Sequence, residues 1–181
     1  MKLRELEVKD VDRMLSWMHS IESKEIFAKD FNNYTKEDVT NFVKNKNTSN
    51  NINYACVNDN DEYLGTVSLK NIDYENKNAE YAISFMKEAQ GTGAALFATY
   101  EILEKAFNKL KLEKVYLDVL KTNERAIAFY RKIGFIQEGE FRKHFKKNNK
   151  YIDLLWFSML KEEYKEKEIK AFNNKLREIR K

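Results

Sequence analysis

An α+β fold with one mixed sheet is what this sequence predicts, and three observations carry it. First, apolar residues recur at period two in short runs, most clearly Ala79, Tyr81, Ile83 and Phe85 interleaved with Glu80, Ala82, Ser84 and Met86. Second, Leu96, Tyr100, Leu103, Phe107 and Leu110 follow on a single helical stripe. Third, strand and helix are joined by Gln90-Gly91-Thr92-Gly93-Ala94-Ala95, a run of small residues. A junction of this kind presents unpaired backbone N–H groups and the positive end of a helix dipole, which together suit a phosphate.

The remaining elements follow from local signals. Leu3 to Val8 alternates weakly and predicts an edge strand. Asp10 is placed to cap a helix carrying Val11, Met14, Leu15 and Met18, with Trp17 and His19 at its end. Ile26, Phe27, Phe31 and Tyr34 form an aromatic segment read as loop or short helix. Thr35 and Asp38 have the spacing of a capping box ahead of Val39, Phe42 and Val43. A meander then runs from Ile52 to Val57, through the turn Asn58 to Asp61, back over Tyr63 to Leu69, and on to the Ala79 strand. After the long helix, Lys114 to Leu120 is the next strand, and a helix between two strands predicts a parallel crossover. Thr122-Asn123-Glu124-Arg125 opens a short helix with Ala126, Phe129, Tyr130 and Ile133 on its inner face, stopped at Gly134. Phe135-Ile136 with Glu140 to Phe145, the basic turn Lys146 to Lys150, and Tyr151 to Leu160 complete the sheet.

At 181 residues the chain can bury a proper core, and residues 1–160 read as one domain followed by a charged helix over 161–181. No apolar run approaches the roughly 20 residues of a membrane span. The N-terminal MKLRELEVKD lacks an export-signal core and the single Cys56 has no internal partner, which predicts a cytoplasmic protein. A net charge of +4, with both signs mixed along the chain, gives no single-sign stripe for nucleic acid. Two distant histidines and one cysteine predict no metal site.

Three phosphate ligands compete for the glycine run. A mononucleotide P-loop requires Lys-Ser/Thr after the glycines, and neither is present. A dinucleotide fold would use Gly91, Gly93 and Asp118, but its third glycine position is Leu96 and repeated βαβ units are lacking. The third ligand is coenzyme A. Gln90-x-x-Gly93-x-Ala95 resembles the Q/R-x-x-G-x-G/A motif of the GNAT superfamily of N-acetyltransferases, and a second motif agrees with it: Asn123, Ala126, Phe129-Tyr130 and Gly134-Phe135. The order of elements also resembles that fold, a sheet of about seven strands splayed between strands four and five and flanked by helices. DYENKNAEYAISF, KTNERAIAFYRKIGF and EGEFRKHFKKNNKYID resemble the branch that acts on ribosomal-protein N-termini and amino sugars, nearest to enzymes that acetylate a UDP-linked 4-amino sugar in pseudaminic acid synthesis.

The resemblance implies acetyl-CoA as cofactor, a small-molecule amine as acceptor, and a homodimer. It places the pyrophosphate on Gln90, Gly91, Thr92, Gly93, Ala94 and Ala95, and the pantetheine arm along Ile83, Ser84, Phe85 and Met86. Asn123, Ala126, Phe129 and Tyr130 face the arm from the second motif. It implies Tyr130 as the general acid for the departing thiolate, a role that a phenol with pKa near 10 can fill. Glu80 is the candidate base, weighed against a plain cross-strand ion pair. Trp17, His19, Arg142 and His144 are candidate substrate contacts. Arg142, Lys143, Lys146, Lys147 and Lys150 make a basic hairpin that, at the acceptor cleft, favours an anionic acceptor over a polyamine. The expected activity is therefore N-acetylation of a nucleotide-linked amino sugar. The alternatives are a protein N-terminus, an aminoglycoside-like amine, and a non-catalytic acyl-CoA-binding module.

Overall fold

A computed structural model describes residues 1–27 and 30–164. In chain order these form β1 (Lys2–Glu5), α1 (Val11–Met18), α2 (Ile21–Ile26), α3 (Lys36–Lys44), β2 (Ile52–Val57), β3 (Tyr63–Asp73) and β4 (Asn78–Phe85). They continue with α4 (Ala94–Glu104), β5 (Lys114–Leu120), α5 (Glu124–Ile133), β6 (Ile136–Lys147) and β7 (Lys150–Leu160). The strands make one mixed seven-stranded sheet in the order β1-β2-β3-β4-β5-β7-β6, with β4 and β5 parallel. The expected charged helix over 161–181 lies, from residue 165 onward, outside the described residues. The chain divides into two compact units, one of Met1–Leu6, 46–115 and the segment from Leu160, the other of Glu7–Asn45 and Tyr116–Met159.

In the first unit, β1 to β4 form an antiparallel meander whose register runs Ile52↔Leu69 and Lys70↔Glu80. Its core comprises Val67, Leu69 and Ile72 of β3, Ala79 of β4, and Ile102, Leu103 and Phe107, each 0% exposed. Burying each large member of this set stabilises the fold by about 1.5–3 kcal/mol. Buried polar groups find partners: the Tyr81 hydroxyl meets Thr99 Oγ1 at 2.8 Å, and Ser68 Oγ donates to Asn53 Oδ1 at 2.6 Å. The stripe read as one helix to Leu110 closes instead with a π-helical turn, Lys105–Lys109, that keeps Ala106 and Phe107 inside. β1 ends at Glu5 rather than Val8, because Val8–Asp10 turns into a 3-10 helix. Gly65 faces Phe85 across β3 and β4, and a Cβ there would lie 2.4 Å from the Ser84 carbonyl oxygen. Only glycine lets the two strands meet at that point, which fixes where the end of β4 sits.

In the second unit, three helices precede Asn45 among the described residues, where the sequence predicted two and a loop or short helix. The extra one is α2, capped by Ser20, whose side chain accepts from Ser23 N. Trp17 lies inside α1 and not past its end, since the inner face of α1 is Val11, Met14 and Trp17. The Thr35–Asp38 capping box is present as read. Asp10 flanks α1 without a side-chain cap; its carboxylate accepts from Glu7 N at 2.9 Å and so closes the preceding turn. β6 is a single strand with a bulge between Phe141 and Phe145, where Lys143 has φ 52° and donates its N–H to Asp153 Oδ1 at 2.7 Å. The basic turn narrows to Asn148-Asn149, both at positive φ, between the paired Lys147 and Lys150. This is the backbone of a two-residue hairpin loop, and asparagine tolerates it well.

Candidate active site

The loop after β4 carries the first candidate group. Met86 leads into the 3-10 turn Lys87–Ala89, Gln90 follows, and Gly91 and Gly93 stand at φ 75° and 82°. Gly93 is the left-handed N-cap of α4, a conformation that side chains resist. Thr92 Oγ1 donates to Ala89 O at 2.7 Å and accepts from Ala94 N at 3.3 Å, which ties the loop to the helix start. The N–H groups of Ala95 and Leu96 belong to the first turn and have no acceptor within the helix. An oxyanion is the natural complement to such a start. Along β4, Ala79 and Tyr81 are buried whereas Ile83, Ser84, Phe85 and Met86 are half-buried, so the strand opens toward the loop.

The second candidate group lies on α5 in the other unit. Asn123 caps the helix, its Oδ1 accepting from Ala126 N at 3.2 Å, which commits the side-chain oxygen and leaves the amide nitrogen for a ligand. Phe129 and Ala126 are half-buried. Tyr130 is 8% exposed, packed at 6.0 Å from Phe135 and 6.4 Å from Phe157. Burial, and after it the Asp118 carboxylate, push its phenol pKa well above the ordinary value, so Tyr130 holds its proton. Asp118 entered the sequence reading only as a possible ribose-binding acid. Its local signal is an exposed carboxylate between Leu117 and Val119, which are 1% and 6% exposed on an inner strand.

Glu80 takes the bland option weighed for it. Its Oε1 pairs with Lys70 Nζ at 2.5 Å, its cross-strand partner, and its Oε2 accepts from Asn71 Nδ2 at 2.8 Å. Both oxygens are thus engaged where β3 bulges, which is the cross-strand ion pair weighed against the base. Glu80→Gln is expected to change kcat by less than about threefold in steady-state turnover, because hydrogen bonding to the neighbours survives the exchange. A loss near 10²-fold would mean that the ion pair opens during turnover.

The candidate substrate contacts separate. Trp17 packs edge-on to Phe27 at 5.2 Å and against Phe31 at 5.9 Å, with its buried indole N–H unpaired among the described residues. His19 is exposed, with Nε2 3.0 Å from the Tyr34 carbonyl. Arg142 and His144 are exposed on the β6 bulge, His144 lying 5.4 Å from Phe141 and 5.0 Å from Phe145. The basic hairpin is not a uniform cationic patch. Lys147 Nζ donates to Phe27 O at 2.8 Å, and burial lowers its pKa against the opposing pull of Glu25 and Asp30. Lys146 lies over the Tyr151 ring at 5.9 Å. Among the described residues, no group of three or more His, Cys, Asp or Glu is placed to hold a metal ion, and no helix is long and apolar enough to cross a membrane.

Residues 3–156 match the family described as Acetyltransferase (GNAT) domain. The chain belongs to the GNAT acetyltransferase family. Both motifs read from the sequence lie within that match, the first on the start of α4 and the second on α5. Spermidine N(1)-acetyltransferase of Escherichia coli strain K12 is 37% identical over 103 residues, covering 57% of this chain and 55% of that protein. Putative ribosomal N-acetyltransferase YdaF of Bacillus subtilis is 34% identical over 100 residues, 55% of each. The chain thus spans about half the length of the curated relatives it matches. Spermidine N-acetyltransferase from Vibrio cholerae, solved with CoA and spermine, superposes with a TM-score of 0.82 over 90% of this chain and 96% of that one. At 24% identity this likeness establishes the fold alone. These relatives carry polyamine and ribosomal acceptors in their names. The expected likeness to UDP-amino-sugar enzymes gives way to the broader family.

Proposed function

We propose that the protein transfers acetyl from acetyl-CoA to a primary amine of a small aliphatic polyamine. One observation carries the reaction: the Gln90–Ala95 loop, with two left-handed glycines, delivers the free N–H groups of the α4 N-terminus. The residues fit coenzyme A, since this start suits a pyrophosphate and the opened end of β4 offers backbone to a pantetheine arm. In the other unit, Asn123 offers its amide nitrogen to a ligand. Acetyl-CoA supplies the activated acyl group. Tyr130, kept protonated by burial, donates toward the departing sulfur. With Glu80 held by Lys70 and Asn71, the amine loses its proton to solvent or to a carboxylate other than Glu80.

The choice of acceptor is supported by the spermidine N(1)-acetyltransferase relative. It is also supported by the hairpin, where Lys147 is committed to Phe27 beside Glu25 and Asp30 and is not offered to an anion. The test is thiol release from acetyl-CoA with spermidine, spermine, a UDP-4-amino sugar, an aminoglycoside and an N-terminal peptide. Turnover on the polyamines, with at least about tenfold higher kcat/KM than on the others, is the expected result. Turnover confined to the UDP sugar or the peptide overturns the acceptor. Coenzyme binding without turnover on any amine would favour a non-catalytic acyl-CoA-binding module.

A further inference from the structure

We propose that Asp118, together with the ring pair Tyr116 and Trp156, forms the subsite that holds a charged nitrogen and the adjoining methylenes of the amine acceptor. This rests on the polyamine reading above and assigns residues to it. β5 has a neighbour on each side, β4 and β7, so none of its residues lies at a sheet edge. Asp118 is nevertheless exposed, between Leu117 and Val119, which are buried. Strand alternation puts Leu117 and Val119 on the core face and Asp118 on the other, together with Tyr116. A carboxylate exposed in the middle of a sheet means that this face is open above it.

The same face carries aromatic surface. Tyr116 is half-buried and stacks on Trp156 with centroids 5.4 Å apart and planes 16° apart. Phe141 lies 5.7 Å from Trp156, its ring tilted by 54°. Ring surface of this kind suits methylene chains and cations alike. The Asp118 charge also acts on the phenol of the proposed acid, Tyr130. The chemistry of the acceptor matches the set. A polyamine gives up one proton to react, and its other nitrogens, with pKa values near that of lysine at about 10.4, stay charged at pH 7. Those nitrogens need a counter-charge beside the reacting amine, and Asp118 supplies it.

The experiment compares wild type with Asp118→Asn on two amines, spermidine and hexylamine, and measures spermine binding calorimetrically in the presence of coenzyme A. Asp118→Asn is expected to raise KM for spermidine about tenfold, the scale of one lost charged hydrogen bond, while KM for acetyl-CoA and for hexylamine stays put. Spermine affinity should fall by the same factor, and Asp118→Glu should recover part of it. Trp156→Leu should weaken spermine binding as well, with the fold checked by thermal melting. Equal losses on spermidine and hexylamine, or spermine binding unchanged in Asp118→Asn, overturn the subsite and leave the polyamine reading standing. Wild-type protein that binds no spermine overturns both.

Discussion

Replacing Gly93 with glutamate is expected to weaken coenzyme A binding by at least about 100-fold, because the new carboxylate takes the place at the helix start where a pyrophosphate would carry its charge. Two effects combine at this residue. Gly93 stands at φ 82° as the left-handed N-cap of α4, and a side chain there adds strain of about 1–2 kcal/mol. The carboxylate then interacts with the first-turn N–H groups of Ala95 and Leu96 that are open to a ligand. Gly93→Ala separates the contributions, since it adds the strain without the charge and should lose far less affinity. Calorimetric titration with coenzyme A measures both variants, and thermal melting confirms that each still folds. If Gly93→Glu binds coenzyme A as wild type does, the loop is only a turn, and the phosphate reading that began from its glycines fails.

That loop was legible because its signals are local. Two glycines at positive φ, a period of two before them and a period near 3.6 after them are properties of consecutive residues. The Thr35 capping box and the Gly134 stop, at φ 109°, were readable for the same reason. What the sequence withheld depends on pairing between distant residues. Glu80 reads as either a base or a cross-strand ion pair, and its partners are named only once the register sets it opposite Lys70 and beside Asn71 at the β3 bulge. Lys147 reads as one cation among five until the carbonyl of Phe27, 120 positions away, claims its ammonium. Asp118 reads only as the ribose-binding acid of a dinucleotide fold until the strand order places β5 inside the sheet. The acceptor was the least legible part. Its recognition is built from side chains scattered over several elements and not from a contiguous motif.

Tyr130→Phe is expected to lower kcat by roughly 10²-fold with coenzyme affinity unchanged, which is the magnitude of one positioned proton donor. The substitution keeps the ring and its neighbours, Phe129 at 5.7 Å, Phe135 at 6.0 Å and Phe157 at 6.4 Å, so packing survives and only the hydroxyl is lost. The pH dependence follows from the direction of the shift. Burial and the Asp118 charge raise the folded phenol pKa above the unfolded value of about 10. The proton is therefore fully bound below pH 10, and no alkaline loss of activity in that range arises from Tyr130. Stability has the same sign: it is intact below about pH 10 and declines as pH rises beyond that, because ionisation is easier in the unfolded chain. Tyr130→Phe should remove that component of the alkaline decline. Turnover equal to wild type would exclude Tyr130 from the mechanism. A sharper test varies the leaving group. With an acetyl thioester of a coenzyme analogue whose thiol is more acidic, the departing sulfur needs less help from a donor. The Tyr130→Phe defect should then shrink, whereas a defect of packing or coenzyme placement would be the same for both thioesters.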